Sequence, residues 1–193
     1  MFAPTITEMY GENHVTYVDP QGFDDISEGQ ARPGHFRGVA TVVAKLFNII
    51  QPTNAYFGQK DAAQCCLIRR IVEDLNMDLT VNVMDTVRES DGLAMSSRNA
   101  YLTAEERKVA PIVYRSLCAA KELYEKEQNI PSSQLRARVE EVLGSELLVS
   151  SIQYVAVDSK ATMRPLDQVG VDGAVISLAC KVGSVRLIDN IML

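Results

Sequence analysis

The hydrophobic period of this chain changes repeatedly between His35 and Val83, and those changes restrict the fold more than any other feature of the sequence. Val39, Val42, Val43, Leu46, Phe47 and Ile50 recur at three- and four-residue spacing, which is one face of a helix, and Pro52 stops it. Ala55-Tyr56-Phe57 then predicts a short buried strand that ends at Gly58. A second helix is predicted from Ala62 to Leu75, with Ile68, Ile71, Val72 and Leu75 on one face, and a second strand from Leu79 to Val83. Helix–strand–helix–strand with short connections is the rhythm of an open parallel α/β sheet. Such sheets bind ligands beyond the carboxyl ends of their strands, and Gly58–Asp61 sits at one such end, ahead of a helix N-terminus.

The texture is different on either side of this stretch. Residues 1–34 are rich in turn formers such as Asp19-Pro20 and Pro33-Gly34. Arg88 to Asn99 is polar and reads as a loop or hinge, with Asp91-Gly92 as its turn. Thr103-Ala104-Glu105-Glu106 is a capping box that opens a long helix carrying Val109, Ile112, Val113 and Leu117. A helix around Ser133–Leu148 follows, then strands at Ile152–Val157, Ala174–Cys180 and Val185–Ile188. Gly183-Ser184 joins the last two as a hairpin. The fold class expected is α/β: a parallel-sheet domain over residues 1–87, then a small α+β domain over residues 88–193.

Composition narrows the function classes. The 193 residues are 47% hydrophobic, enough for a substantial core. The net charge of −6 and scattered Lys and Arg give no basic footprint for nucleic acid and no polybasic membrane anchor. No apolar run reaches the roughly 18 residues of a membrane span, and Met1–Tyr10 lacks the pattern of a signal peptide, so a cytoplasmic protein is expected. The four cysteines, Cys65, Cys66, Cys118 and Cys180, fit neither a zinc nor a CxxC spacing and are expected as buried reduced thiols. Two histidines, His14 and His35, are too few for a His-rich metal site, and no resident metal is expected.

Two clusters could carry chemistry. In Gly58-Gln59-Lys60-Asp61, with Gln64 one turn later, the glycine admits close approach to the backbone and Lys60 is a mobile cation suited to phosphate. Asp61 can accept from ribose hydroxyls, and Gln64 can donate to or accept from a polar substrate. An ordinary strand-to-helix turn with a solvated Lys and Asp fits the same string. In Met95-Ser96-Ser97-Arg98-Asn99, two hydroxyls and a guanidinium make an oxyanion clamp, and an ordinary polar loop fits equally well.

The runs Arg32-Pro33-Gly34-His35-Phe36, Gln51-Pro52, Tyr56-Phe57-Gly58-Gln59-Lys60-Asp61, Leu67-Ile68-Arg69-Arg70 and Val87-Arg88-Glu89 together resemble the pantothenate synthetase family, in order and at its spacing. So do the long run from Asp91 to Leu102, which is highly specific, and the ending Arg186-Leu187-Ile188-Asp189-Asn190. The resemblance implies a nucleotidyltransferase-type, Rossmann-like domain followed by a small lid domain. It implies ligation of pantoate to β-alanine with ATP and Mg²⁺ through pantoyl adenylate, and a homodimer. ATP contacts are carried over to Gly58, Gln59, Lys60, Asp61, Val87, Met95, Ser96, Ser97 and Arg98, and the pantoate contact to Gln64. Lys60, Ser96, Ser97 and Arg98 would stabilise charge on the reacting phosphates, with Val87 and Met95 flanking the adenine. Gln59 stands where the family usually has Glu, and Ala62-Ala63 replaces an aromatic-plus-Gln pair.

The family also opens with a P-T-M-G-x-L-H-x-G-H type motif that has no counterpart in this sequence. The expectation is therefore a Rossmann-like domain represented by its later part, and no pantothenate formation by this chain alone. The competing readings are an inactive fragment or partner subunit of that enzyme, and another adenylyl-transferring enzyme.

Overall fold

The fold is described from a computed structural model covering residues 1–127 and 129–193. Helix α1 (His35–Ile50) forms over the predicted residues and buries Phe36, Ala40, Thr41 and Ala44. It ends at Gln51, which turns into the left-handed region at φ 48 ahead of Pro52. Strand β1 (Asn54–Gly58) runs parallel to β2 (Thr80–Met84), in register from Asn54↔Thr80 to Gly58↔Met84. Helix α2 (Ala62–Asp74) makes the crossover between them and packs on α1, burying Leu67, Ile68 and Ile71.

The expectation of a buried β1 is not met. Its residues alternate between exposed and half-buried, and Tyr56 is 67% exposed. Among the described residues β1 and β2 pair only with each other. Helices cover one face, where Phe57 meets Phe47 edge-on at 6.4 Å, and the other face meets solvent. A three-residue apolar run cannot distinguish a strand covered on both faces from one covered on one.

The long helix expected after Thr103 is also broken in two. Its capping box is present: Thr103 Oγ1 accepts from the Glu106 amide at 3.3 Å, and Glu106 Oε2 accepts from the Thr103 amide at 2.8 Å. The helix so opened stops at Val109, and α3 (Ile112–Lys126) begins after Pro111. Pro111 has no N–H to continue the ladder, so the chain restarts there.

Helix α4 (Ser132–Gly144) precedes an antiparallel sheet of β3 (Val149–Asp158), β4 (Val175–Val182) and β5 (Val185–Met192), in that spatial order. The predicted hairpin joins β4 to β5 with Gly183 at φ +57. Helices α3 and α4 cover this sheet. Leu117, Leu135, Val139, Leu143, Ile176 and Leu178 form its core. A second core holds Ile26, Phe36, Leu67 and Ile68, and Met163 and Val175 from the antiparallel half enter it. The cysteines are free; three are buried and Cys118 is half-buried. Among the described residues no helix is long and apolar enough to cross a membrane.

Gly92 closes the turn after Asp91 at φ +93, and a Cβ there would lie 2.6 Å from Cδ1 of Tyr114. Gly92→Ala is expected to destabilise the fold by about 1–3 kcal/mol, read as a lower urea midpoint at unchanged slope.

Asp158, at the end of β3, is 3% exposed, and burial raises its carboxyl from 3.8 to about 7, with Arg136 offsetting part of the rise. The folded chain holds this proton more tightly than the unfolded chain, so stability is full below the unfolded value and falls as pH rises toward 7. Asp158→Asn is expected to flatten that decline and raise the melting temperature at pH 8. An unchanged pH profile of melting would show that the carboxyl is not held neutral.

Candidate active site

The site is assembled from three segments. The first is the turn after β1, where Gln59–Asp61 make one tight helical turn into α2 and leave Lys60 half-buried. The second is the loop from Val87 to Asn99. Arg88 bridges to Ala94, the Met95 amide donates to the Val87 carbonyl at 2.9 Å, and Ser96 Oγ accepts from the Arg98 amide at 3.2 Å. Asn99 Nδ2 closes the loop on the Ala94 carbonyl at 3.1 Å. The third is β5, which carries Arg186, Asp189 and Asn190.

Two small clefts meet at Lys60. Lys60, Ser96, Arg98, Asn99, Arg186 and Asp189 line one, with a volume of about 10 Å³. Lys60, Asp61, Gln64, Glu28, His35 and Tyr154 line the other, of about 40 Å³, with Asp158 and Ser177 deeper in. Spaces of this size hold water and not a nucleotide. The structure thus brings together Lys60, Asp61, Gln64, Ser96 and Arg98. Gly58, Gln59, Val87, Met95 and Ser97 line neither cleft. Gly58 and Ser97 are exposed beside the clefts, and Val87 and Met95 form an exposed apolar pair at 66% and 52%. Gln59 turns its side chain to Asn190.

Charge at the site is largely compensated. Arg186 clamps Glu28 at 2.6 and 3.3 Å, Tyr154 donates its hydroxyl to Glu28 at 3.0 Å, and Arg32 stands 3.6 Å away. Burial pushes the Glu28 carboxyl up, but Arg186, Tyr154 and Arg32 outweigh it and leave it below the ordinary range. Arg32 Nη1 lies 2.9 Å from His35 Nε2 and donates to it, which requires a neutral ring. Burial, then the Arg32 charge, lowers the His35 pKa in the same sense. Burial raises Tyr154 strongly, so its proton stays on to serve Glu28. Arg88 holds Asp189 through two bonds of 2.6 and 3.0 Å. Among the described residues neither Lys60 nor Arg98 makes an ion pair, so their positive charge is available to a ligand. Among those residues no group of three His, Cys, Asp or Glu could hold a metal ion.

Sequence reasoning gave no role to Glu28, Arg32, His35, Tyr154, Arg186, Asp189 or Asn190. Its one signal for several of them was their place in the Arg32–Phe36 and Arg186–Asn190 runs. Arg32 meets Glu28 and His35 at local helical spacing, but the pairs Glu28–Arg186, Glu28–Tyr154 and Arg88–Asp189 span 101 to 158 residues, where no local spacing rule applies.

Comparison with known proteins adds to this geometry. The family described as pantoate-beta-alanine ligase matches residues 1–192. A pantothenate synthetase of Chloroflexus aggregans is 52% identical over 193 residues, covering 100% of this chain and 69% of that protein. One of Fervidobacterium nodosum is 49% identical, covering 100% of this chain and 68% of that protein. The crystal structure of pantothenate synthetase from Thermus thermophilus superposes with a TM-score of 0.91 at 42% identity, over 98% of this chain and 68% of that one. The Francisella tularensis pantoate-beta-alanine ligase, solved in complex with beta-gamma ATP and beta-alanine, superposes with a TM-score of 0.69 at 30% identity, over 96% of this chain and 61% of that one. By a match that runs through nearly every residue, and by a shared fold, the chain belongs to the pantoate-beta-alanine ligase family.

Proposed function

We propose that the protein acts in pantothenate biosynthesis, joining pantoate to β-alanine with ATP through a pantoyl-adenylate intermediate and releasing AMP and pyrophosphate. The observation that carries this reading is the pair of unneutralised cations, Lys60 and Arg98, lining one cleft with Ser96. A carboxylate is a poor electrophile. Transfer of an adenylyl group to pantoate gives it a good leaving group, and the amine of β-alanine then displaces AMP. The first step moves negative charge onto the departing pyrophosphate, and fixed donors aimed at that charge are the dominant catalytic contribution. Lys60, Ser96 and Arg98 supply such donors in this reading, with Ser97 at the rim.

The clefts are too small to enclose a nucleotide, so the phosphates lie across their mouth. Val87 and Met95, side by side and exposed, offer an apolar rest for adenine. A Cβ on Gly58 would meet nothing within 4 Å, so the space beside it is free for a ligand. Asp61 accepts from ribose, and Gln64 faces pantoate in the other cleft. Gln59 contributes its backbone, since its side chain is engaged with Asn190. Among the described residues no group of three His, Cys, Asp or Glu makes a cage for Mg²⁺, which enters as the counter-ion of the triphosphate. Residues 88–193 act as a lid on residues 1–87 in this proposal, and the working protein is a cytoplasmic homodimer. A second reading, a subunit that binds nucleotide and leaves turnover to a partner, draws on the exposed Tyr56 and Met84 of the parallel pair.

The test is titration with Mg·ATP followed by an assay of AMP release that depends on both pantoate and β-alanine. Turnover that falls about 10²–10³-fold in Lys60→Ala, with pantoate binding nearly unchanged, supports the ligase. ATP binding without turnover favours the partner subunit. Absence of ATP binding, or an unchanged rate in Lys60→Ala, removes Lys60 from the proposed mechanism.

A further inference from the structure

Asn190 is 3% exposed, and each of its polar groups is engaged at the site. Its Nδ2 donates to the carbonyls of both Gln59 and Lys60, each at 2.9 Å. With both amide protons so used, Oδ1 can only accept, and it does so from Gln59 Nε2 at 3.0 Å. Its own amide donates to Asp189 Oδ1 at 2.8 Å, and its carbonyl accepts from Arg88 at 3.4 Å. Successive strand residues point to opposite faces. The side chains of Asp189 and Asn190 therefore reach in opposite directions, one to the loop that carries Ser96 and Arg98, the other to the turn that carries Lys60. The turn has no side-chain cap of its own: Gly58 and Asp61, flanking it and α2, make none.

We infer that Asn190 is a positioning residue that fixes the Gln59–Asp61 turn, and through it Lys60, at a set distance from Ser96 and Arg98. Gln59 is the partner that holds the Asn190 amide in the working orientation. The consequence for triphosphate binding rests on the role proposed for Lys60; the consequence for the turn does not.

The experiment compares the wild-type chain with Asn190→Ala and Asn190→Leu, measuring amide exchange and the affinities for ATP and adenosine. Loss of the two carbonyl contacts is expected to speed exchange at residues 60–64 about tenfold while β4 keeps its protection. ATP affinity is expected to fall about tenfold, with adenosine affinity held, because the loss falls on the phosphates alone. Asn190→Leu fills nearly the same space with neither donor nor charge, so it carries the same measurements if the alanine variant does not fold. Unchanged exchange at residues 60–64, or equal acceleration in β4, overturns the inference. Equal weakening of ATP and adenosine overturns the positioning of Lys60. If the wild-type chain binds neither nucleotide, the functional reading fails and the exchange data alone decide the clamp.

Discussion

The site depends on one buried ion pair. Asp189 is 2% exposed, and a carboxylate so far from water must be matched by a charge with the right geometry. Arg88 supplies it through a two-pronged bond and spreads its guanidinium over Tyr114, 3.7 Å from the ring centre. It also donates to the Gly92 carbonyl at 3.1 Å. Removing either member of such a pair leaves an uncompensated buried charge, a loss of about 3–5 kcal/mol. The loop after β2 is thereby tied to the last strand, and the bridge from Arg88 to Ala94 passes the constraint on to Ser96 and Arg98. The buried Leu93 and Ala94 give the otherwise polar loop from Glu89 to Asn99 its apolar hold.

A second group of charges faces the first across Lys60. Glu28, Arg32, His35, Tyr154 and Arg186 come from three parts of the chain, and two guanidiniums share the one carboxylate, which leaves one positive charge in excess. Lys60 and Arg98, which make no ion pair among the described residues, add to that excess in a chain whose net charge is −6. Low-dielectric walls concentrate such a field, which on the proposed reading draws an anion to this cleft.

Much of the fold was legible because it is local. The end of α1 could be read from Pro52, the capping box from Thr103 and Glu106, and the last hairpin from Gly183-Ser184. The break at Pro111 was also written in the sequence, but the apolar stripe from Val109 to Leu117 continues across it and hides it. The exposure of β1 was not readable, since it depends on what covers Tyr56 and not on Tyr56 itself. The site was legible in halves. Lys60 and Arg98 stood out through the family resemblance, whereas Glu28 with Arg186, and Arg88 with Asp189, meet only after folding. No periodicity joins residues so far apart.

That separation has a consequence for biogenesis. Gln59 and Asn190 are 131 positions apart, and Asn190 emerges from the ribosome much later. The crossover β1–α2–β2 involves nearer neighbours and can pair while the rest of the chain is still being made. During that interval the Lys60 turn exists without its clamp and Arg88 without its counter-charge. On the proposed reading, the nascent chain presents no finished anion site until the final hairpin closes onto the sheet.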